Sequence, residues 1–398
     1  MKTLRFLAVV VLIVACIPVI KSQTVPAKAK AVDYESVAQK LVNQCAGIKE
    51  GEVVLILGGV PDFELLEDIT VNVRKTGAYA LMFAGSDRLT RKLFTEVPVK
   101  YDSQAPLVDM KLLDFTDAII SVDYGEDPGL LADIPPERFL TRSKAYESVT
   151  DLAYQRKIRG VSLGNGLYPT EALAKRYGLT KNELAEIFWG GVNTDYSKLE
   201  ATGKKVSAML TAGKEVHITN ANGTDLKVRI ESRPVLVSDG MISAEDLKGG
   251  YATSQVYLPA GEVYLATVPG TAEGIVVVDQ QWYQGKEIKS MTLTFKGGKM
   301  ISMTAKSGIE PLKAIYDAAE PGKEDFSSLD IGINPDVQLK PGSAMVTWMS
   351  SGMLTLGIGN NIWAGGDNKN LFGLPFHMPR STVKVDGKVL IENGVLIK

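Results

Sequence analysis

The chain has 398 residues, of which 45% are hydrophobic and 23% charged, with a formal net charge of −2. That composition belongs to a globular protein with a full-size core, and the charge excludes the basic footprint of a nucleic-acid binder. Two cysteines, Cys16 and Cys45, exclude a disulfide framework and a cysteine-based zinc site, and any metal has only His217 and His377 as imidazole ligands.

The chain opens as a targeting segment. Lys2 and Arg5 form a basic region, and residues 6–15 are an apolar run of signal-peptide length. Cleavage after Ser22 would give a mature N-terminus at Gln23. A competing reading takes Ile13-Val14-Ala15-Cys16 as a lipobox with Cys16 lipidated, and only that reading ties the protein to a membrane. Residues 1–22 are thus predicted to be a signal peptide and 23–32 a linker. The protein is expected to be exported, periplasmic or secreted. Cys45 lies on an apolar helix face and is expected to be buried and inert.

Residues 33–213 read as an α/β domain with a mostly parallel sheet. Val37, Ala38, Leu41, Val42 and Cys45 recur at helical spacing before Gly47. Residues 53–57 are a continuous apolar run, which suggests a strand buried on both faces. The spacing predicts a helix over 62–75 with Phe63, Leu66, Ile69 and Val73 inward, and strands at 79–84, 118–122 and 159–164. Ser86 marks a capped helix start. Thr180 and Glu183 form a capping box for a helix that Gly190-Gly191 should interrupt, and Asp195 caps a further helix ending near Gly213. Strands alternating with helices favour a parallel sheet.

Residues 214–398 read as a β-rich α+β domain. Two alternating runs, 215–220 and 224–230, flank Asn222-Gly223, a strong hairpin signal. Further strands are expected at 262–267, 274–279, 291–295 and 299–304, then a helix at 311–319 and a closing hairpin around Asp386-Gly387. His217 sits in the first hairpin as an ordinary strand residue.

The order and spacing of several segments carry a family resemblance. They are Gly51-Glu52-Val53-Val54-Leu55-Ile56, the stretch from Asp195-Tyr196 to Asn222-Gly223-Thr224-Asp225-Leu226, and Leu258-Pro259-Ala260-Gly261-Glu262-Val263-Tyr264. Leu329-Asp330-Ile331-Gly332-Ile333-Asn334-Pro335, Gly359-Asn360-Asn361, Gly365-Gly366 and His377 complete the set. Across the mature chain the sequence resembles the thermophilic aminopeptidases, the aminopeptidase T-like metallopeptidases. The resemblance implies an α/β first domain, a β-rich catalytic second domain, a homodimer, and a two-metal site that releases N-terminal residues from peptides.

Carried over by position, Glu262 falls where the first metal-binding glutamate belongs and His377 where the closing histidine belongs. The remaining positions fall on Ser328 for a glutamate, Thr355 for a histidine and Pro379 for an aspartate. Asp330 and Asp367 are the nearby carboxylates that could substitute. The expected metal set is therefore Glu262, His377, Asp330 and Asp367, holding a divalent ion (Zn, Mn, Co or Fe). The expected function is that of an exported aminopeptidase-like metallohydrolase, with reduced or altered activity, acting on a peptide or small-molecule substrate. Two alternatives stay open: a metal-free pseudoenzyme that binds its ligand, and an iron-dependent dioxygenase on the same fold, which would need His217 beside His377.

Overall fold

The computed structural model describes residues 32–397 except 128, 132, 251, 284 and 285. The signal-peptide and lipobox readings lie outside the described residues. Helix α1 (Tyr34–Gln39) is capped by the Asp33 carboxylate, which accepts from Ser36 N, and it continues as a π-helical turn over Lys40–Cys45. Its apolar residues, Cys45 among them, are fully buried, as the helical spacing predicts.

The chain then lays down strands β1 (Val53–Gly59), β2 (Tyr79–Gly85), β3 (Ala118–Val122) and β4 (Arg159–Leu163), all parallel. Helices α2 (Phe63–Lys75), α3 (Asp87–Thr95), α4 (Leu107–Leu113) and α5 (Pro136–Arg156) connect them. In α2 the buried residues are Leu65, Leu66, Ile69, Asn72 and Val73, whereas Phe63 is exposed, because the apolar stripe begins a turn later than expected. The 21-residue α5 has no counterpart in the sequence reading. Its buried stripe is thin, with Ala153 joining Leu55, Leu113 and Ile158 in one cluster and Val149 and Leu152 packed against it.

Helices α6 (Glu171–Tyr177), α7 (Lys181–Val192) and α8 (Tyr196–Ala212) follow. The capping box at Thr180 and Glu183 is present, and Asp195 caps α8. Helix α7 runs through Gly190-Gly191 instead of breaking there. The reason is steric: a side chain at Gly191 would lie 2.3 Å from Val337 Cγ2, so the glycine serves close packing inside a continuous helix.

Strands β5 (Glu215–Thr219) and β6 (Asp225–Arg229) form the predicted hairpin, followed by β7 (Leu236–Ser238) and α9 (Ala244–Gly249). Strand β8 (Gln255–Leu258) then returns to the first sheet and pairs parallel with β4, giving the order β2-β1-β3-β4-β8. The segment beyond residue 213 is therefore not wholly antiparallel. The rest is: β9 (Glu262–Ala266), β10 (Glu273–Tyr283), β11 (Lys286–Lys296), β12 (Lys299–Thr304), α10 (Glu310–Ala318), β13 (Phe326–Gly332), β14 (Leu354–Gly359), β15 (Gly373–Met378), β16 (Thr382–Val385), β17 (Lys388–Glu392) and β18 (Val395–Leu396). They form an eight-stranded sheet, β12-β11-β10-β6-β5-β16-β17-β18, and a five-stranded sheet, β15-β14-β13-β9-β7. No described helix is long and apolar enough to cross a membrane.

Candidate functional site

The antiparallel five-stranded sheet, β15-β14-β13-β9-β7, carries the candidate site. One of its faces is core: Val263, Leu265, Leu329, Ile331, Leu354, Leu356, Phe376 and Met378 are all buried. Side chains alternate along a strand, and directly opposed residues of antiparallel neighbours share a face. Tyr264 opposes Asp330, Asp330 opposes Thr355, and Thr355 opposes His377. These four form one row across four strands on the face opposite the core, and Glu262 joins them from two residues before Tyr264. The sheet thus gathers Glu262, Asp330 and His377 on one surface.

Glu262 is placed by contacts from distant parts of the chain. Asn165, just beyond the carboxyl end of β4, donates from Nδ2 to Pro259 O at 3.0 Å and to Glu262 Oε1 at 3.3 Å. The Trp348 side chain also hydrogen-bonds to Glu262. Gly261 precedes the glutamate at φ +131, and a Cβ there would lie 2.6 Å from Asn334 Cβ, so only glycine fits this turn. Asn334 is fully buried and fixes the turn from the other side. Its Nδ2 donates to Ala260 O at 2.6 Å and Gly191 O at 3.1 Å, and its Oδ1 accepts from Asp336 N at 2.9 Å.

Burial pushes the Glu262 carboxyl above the usual carboxylate range. Burial, and after it the charge of Glu262, push the Asp330 carboxyl well above its ordinary value as well. Asp330 is 5% exposed, and its Oδ1 has no hydrogen-bond partner. Burial lowers His377 to about 4, so the ring is neutral at ordinary pH. Its Nδ1 lies 3.0 Å from Thr355 Oγ1, and Trp348 stacks on the ring with centroids 5.6 Å apart. Tyr264 packs on Trp363 with the rings tilted by 35° and centroids 5.3 Å apart, and Trp363 is half exposed.

Asp367 is placed differently. It is exposed on the loop before β15, which Asn361, Asn368 and Asn370 brace through side-chain acceptors for the backbone N–H groups of Asn368, Asn370 and Phe372. Asp367 is not among the charges acting on Glu262 or Asp330. His217 is in the eight-stranded sheet, bonded to Asp225 Oδ1 at 2.7 Å, and does not approach His377 through the strand pairing.

Among the described residues, no group of three or more His, Cys, Asp or Glu side chains comes together closely enough to hold a metal ion. The residues present therefore do not fit a paired metal centre. Two carboxyls and one imbedded imidazole share a face, but the imidazole is engaged by Thr355 and the side chain at 328 is a serine.

A family model described as thermophilic metalloprotease (M29) matches residues 31–324. The chain belongs to that family. Among solved structures, the chain is similar to AmpT from Thermus thermophilus, at 18% identity and a TM-score of 0.71 over 92% of this chain and 99% of that one. It is also similar to a 2,5-dihydroxypyridine dioxygenase from Pseudomonas putida KT2440, at 13% identity and a TM-score of 0.58 over 92% and 96%. No curated protein matches the chain. At these identities the two structures establish the fold, a parallel α/β part followed by antiparallel sheets.

The M29 match includes Glu262 and stops before β13. Asp330, Thr355 and His377 therefore belong to the part of the chain that the family model leaves unmatched. Sequence reasoning also missed Asn165 and Trp348. Neither belongs to a motif, and both come from loops remote in sequence from Glu262. The one available signal was conformational: Gly164 and Gly166 flank Asn165, and a Cβ at Gly166 would lie 2.8 Å from the Trp348 ring.

Proposed function

We propose that this M29 family member is exported, binds the amino-terminal end of peptides on the face of β9, β13, β14 and β15 that carries Glu262 and Asp330, and has lost two-metal hydrolysis. The observation that carries the proposal is the composition of the cross-strand row: Tyr264, Asp330, Thr355 and His377, with Glu262 beside them, and no three of the ligating side chains within range of one ion. Paired-metal hydrolysis needs one ion to polarise the carbonyl and a bridging water activated as nucleophile. When bound, such metals would supply both effects; here the chain offers too few converging ligands to hold them.

What the residues can do is bind and orient. Glu262 is held by two neutral donors, Asn165 and Trp348, which leaves its charge available to a cationic group. The tilted ring pair of Tyr264 and Trp363 offers an aromatic surface for a first side chain. Neutral His377 is held by Thr355 and Trp348, with Nε2 as its remaining polar atom. Export is supported by the basic and apolar run at residues 2–15.

The test is a paired assay on the purified mature chain with short unblocked peptides. Calorimetry should detect binding, and chromatography of the same mixtures should show no release of the first residue with added Zn, Mn, Co or Fe(II). Metal-dependent release of N-terminal residues, abolished in Glu262→Ala, would overturn the proposal.

A further inference from the structure

We infer that Glu262 and Asp330 together form a binding site for the ammonium group of a primary amine bearing an aromatic or apolar substituent, whether or not a peptide carbonyl follows. The inference rests on the reading above only for the location of the ligand.

The two carboxyls are diagonal neighbours across the β9–β13 pair, since Glu262 opposes Gly332 and Tyr264 opposes Asp330. Diagonal neighbours stand roughly 7–8 Å apart along the backbone, and closer between side chains that share a face. A group with hydrogen-bond donors on several sides fits such a gap. Among the described residues neither carboxyl enters an ion pair, and the only protein donors on Glu262 are the neutral side chains of Asn165 and Trp348. Asp330 is the second observation. Its side chain is almost fully buried, yet Oδ1 has no partner. An unmade hydrogen bond of this kind costs about 1–3 kcal/mol, more for a charged group, and a ligand donor would recover it.

The chemistry around the pair narrows the ligand. An ammonium has three N–H donors, enough to reach Glu262, Asp330 Oδ1 and a neighbouring hydroxyl, Thr355 or Tyr264, in the same row. A quaternary ammonium cannot donate to Asp330. A planar guanidinium favours both oxygens of one carboxylate over one oxygen from each of two. The rings of Trp348 and of the Tyr264–Trp363 pair supply π faces that attract a cation and cover an apolar substituent. Trp363 is half exposed, so its end of that ring pair meets solvent.

The test uses the mature full-length chain and four probes in calorimetry: phenethylamine, its N-acetyl derivative, 2-phenylethanol and an unblocked Phe-Ala dipeptide. Circular dichroism first establishes that Glu262→Gln and Asp330→Asn are folded; if Asp330→Asn does not fold, Glu262→Gln carries the comparison. The expected result is saturable binding of phenethylamine, at least tenfold weaker in each folded variant, and none of the acetylated amine or the alcohol. Binding of the dipeptide without phenethylamine would overturn this inference and leave the peptide-binding reading standing. Binding of phenethylamine without the dipeptide would support the inference and sink that reading. Phenethylamine binding of equal strength in wild type and variants would overturn the inference.

Discussion

At position 330 a carboxyl with 5% of its surface exposed faces Glu262 and leaves one oxygen unpartnered. Both carboxyls have pKa values raised by burial, and Asp330 also by the charge of Glu262. Such groups bind more protons in the folded than in the unfolded chain. Their stabilisation is present below the unfolded values, 3.8 for Asp330 and 4.5 for Glu262, and is lost as pH rises past them. His377 acts oppositely. Its folded value is lowered from 6.5 to about 4, so its contribution is complete above 6.5 and is lost as pH falls through that window. Asp330→Asn removes this ionisable carboxyl without touching the imidazole. We expect it to be more stable than wild type at pH 8, by about 1–3 kcal/mol, with the gain vanishing toward pH 4. Thermal melts at both pH values check this; an equal effect at pH 4 and pH 8 would assign it to packing instead of charge. At this scale Glu262 and His377 were legible because they sit in ordered motifs. Asn165, Trp348 and the Thr355–His377 bond were not, because they depend on contacts between segments that no periodicity in the chain connects.

Asn334 shows how much of the site is set by an element junction. It ties the end of α7, the turn before β9 and the exit of β13 through three hydrogen bonds from one buried side chain. Asn334→Ala leaves Gly191 O and Ala260 O without that donor. It should destabilise the protein by about 2–4 kcal/mol and weaken ligand binding more than a substitution of equal destabilisation far from the site. Chemical denaturation and calorimetry on the same variant separate the two effects. Most elements were readable: the Asn222-Gly223 hairpin, the Thr180 capping box and the run at 53–57 each state their structure through local chemistry. Three features were not. Helix α5 buries too thin a stripe to announce itself, α7 uses Gly190-Gly191 for close packing where glycines usually break a helix, and β8 joins a sheet begun more than two hundred residues earlier.

At the scale of the whole chain, the site sits at the seam between two kinds of sheet. Strands β4 and β8 are neighbours in the parallel sheet, and their carboxyl ends lead to Asn165 and, through Pro259, to Glu262. Ligands of open α/β sheets bind outside the carboxyl ends of the strands, and at that end Asn165 meets Glu262 of the antiparallel sheet. The fold follows from the chain as a whole and the M29 family from residues 31–324, but chemistry resides in the few side chains that the row displays. Asp330, Thr355 and His377 lie beyond the matched residues. On the proposed reading, the fold supplies the platform and the row of side chains determines what binds there. The most direct test is the metal content of the purified mature chain after exposure to Zn, Mn, Co and Fe(II), with Glu262→Ala and His377→Ala beside it. The account predicts no retained metal and no difference between the variants and wild type. About one or two equivalents of metal, retained by wild type and lost in both variants, would contradict it.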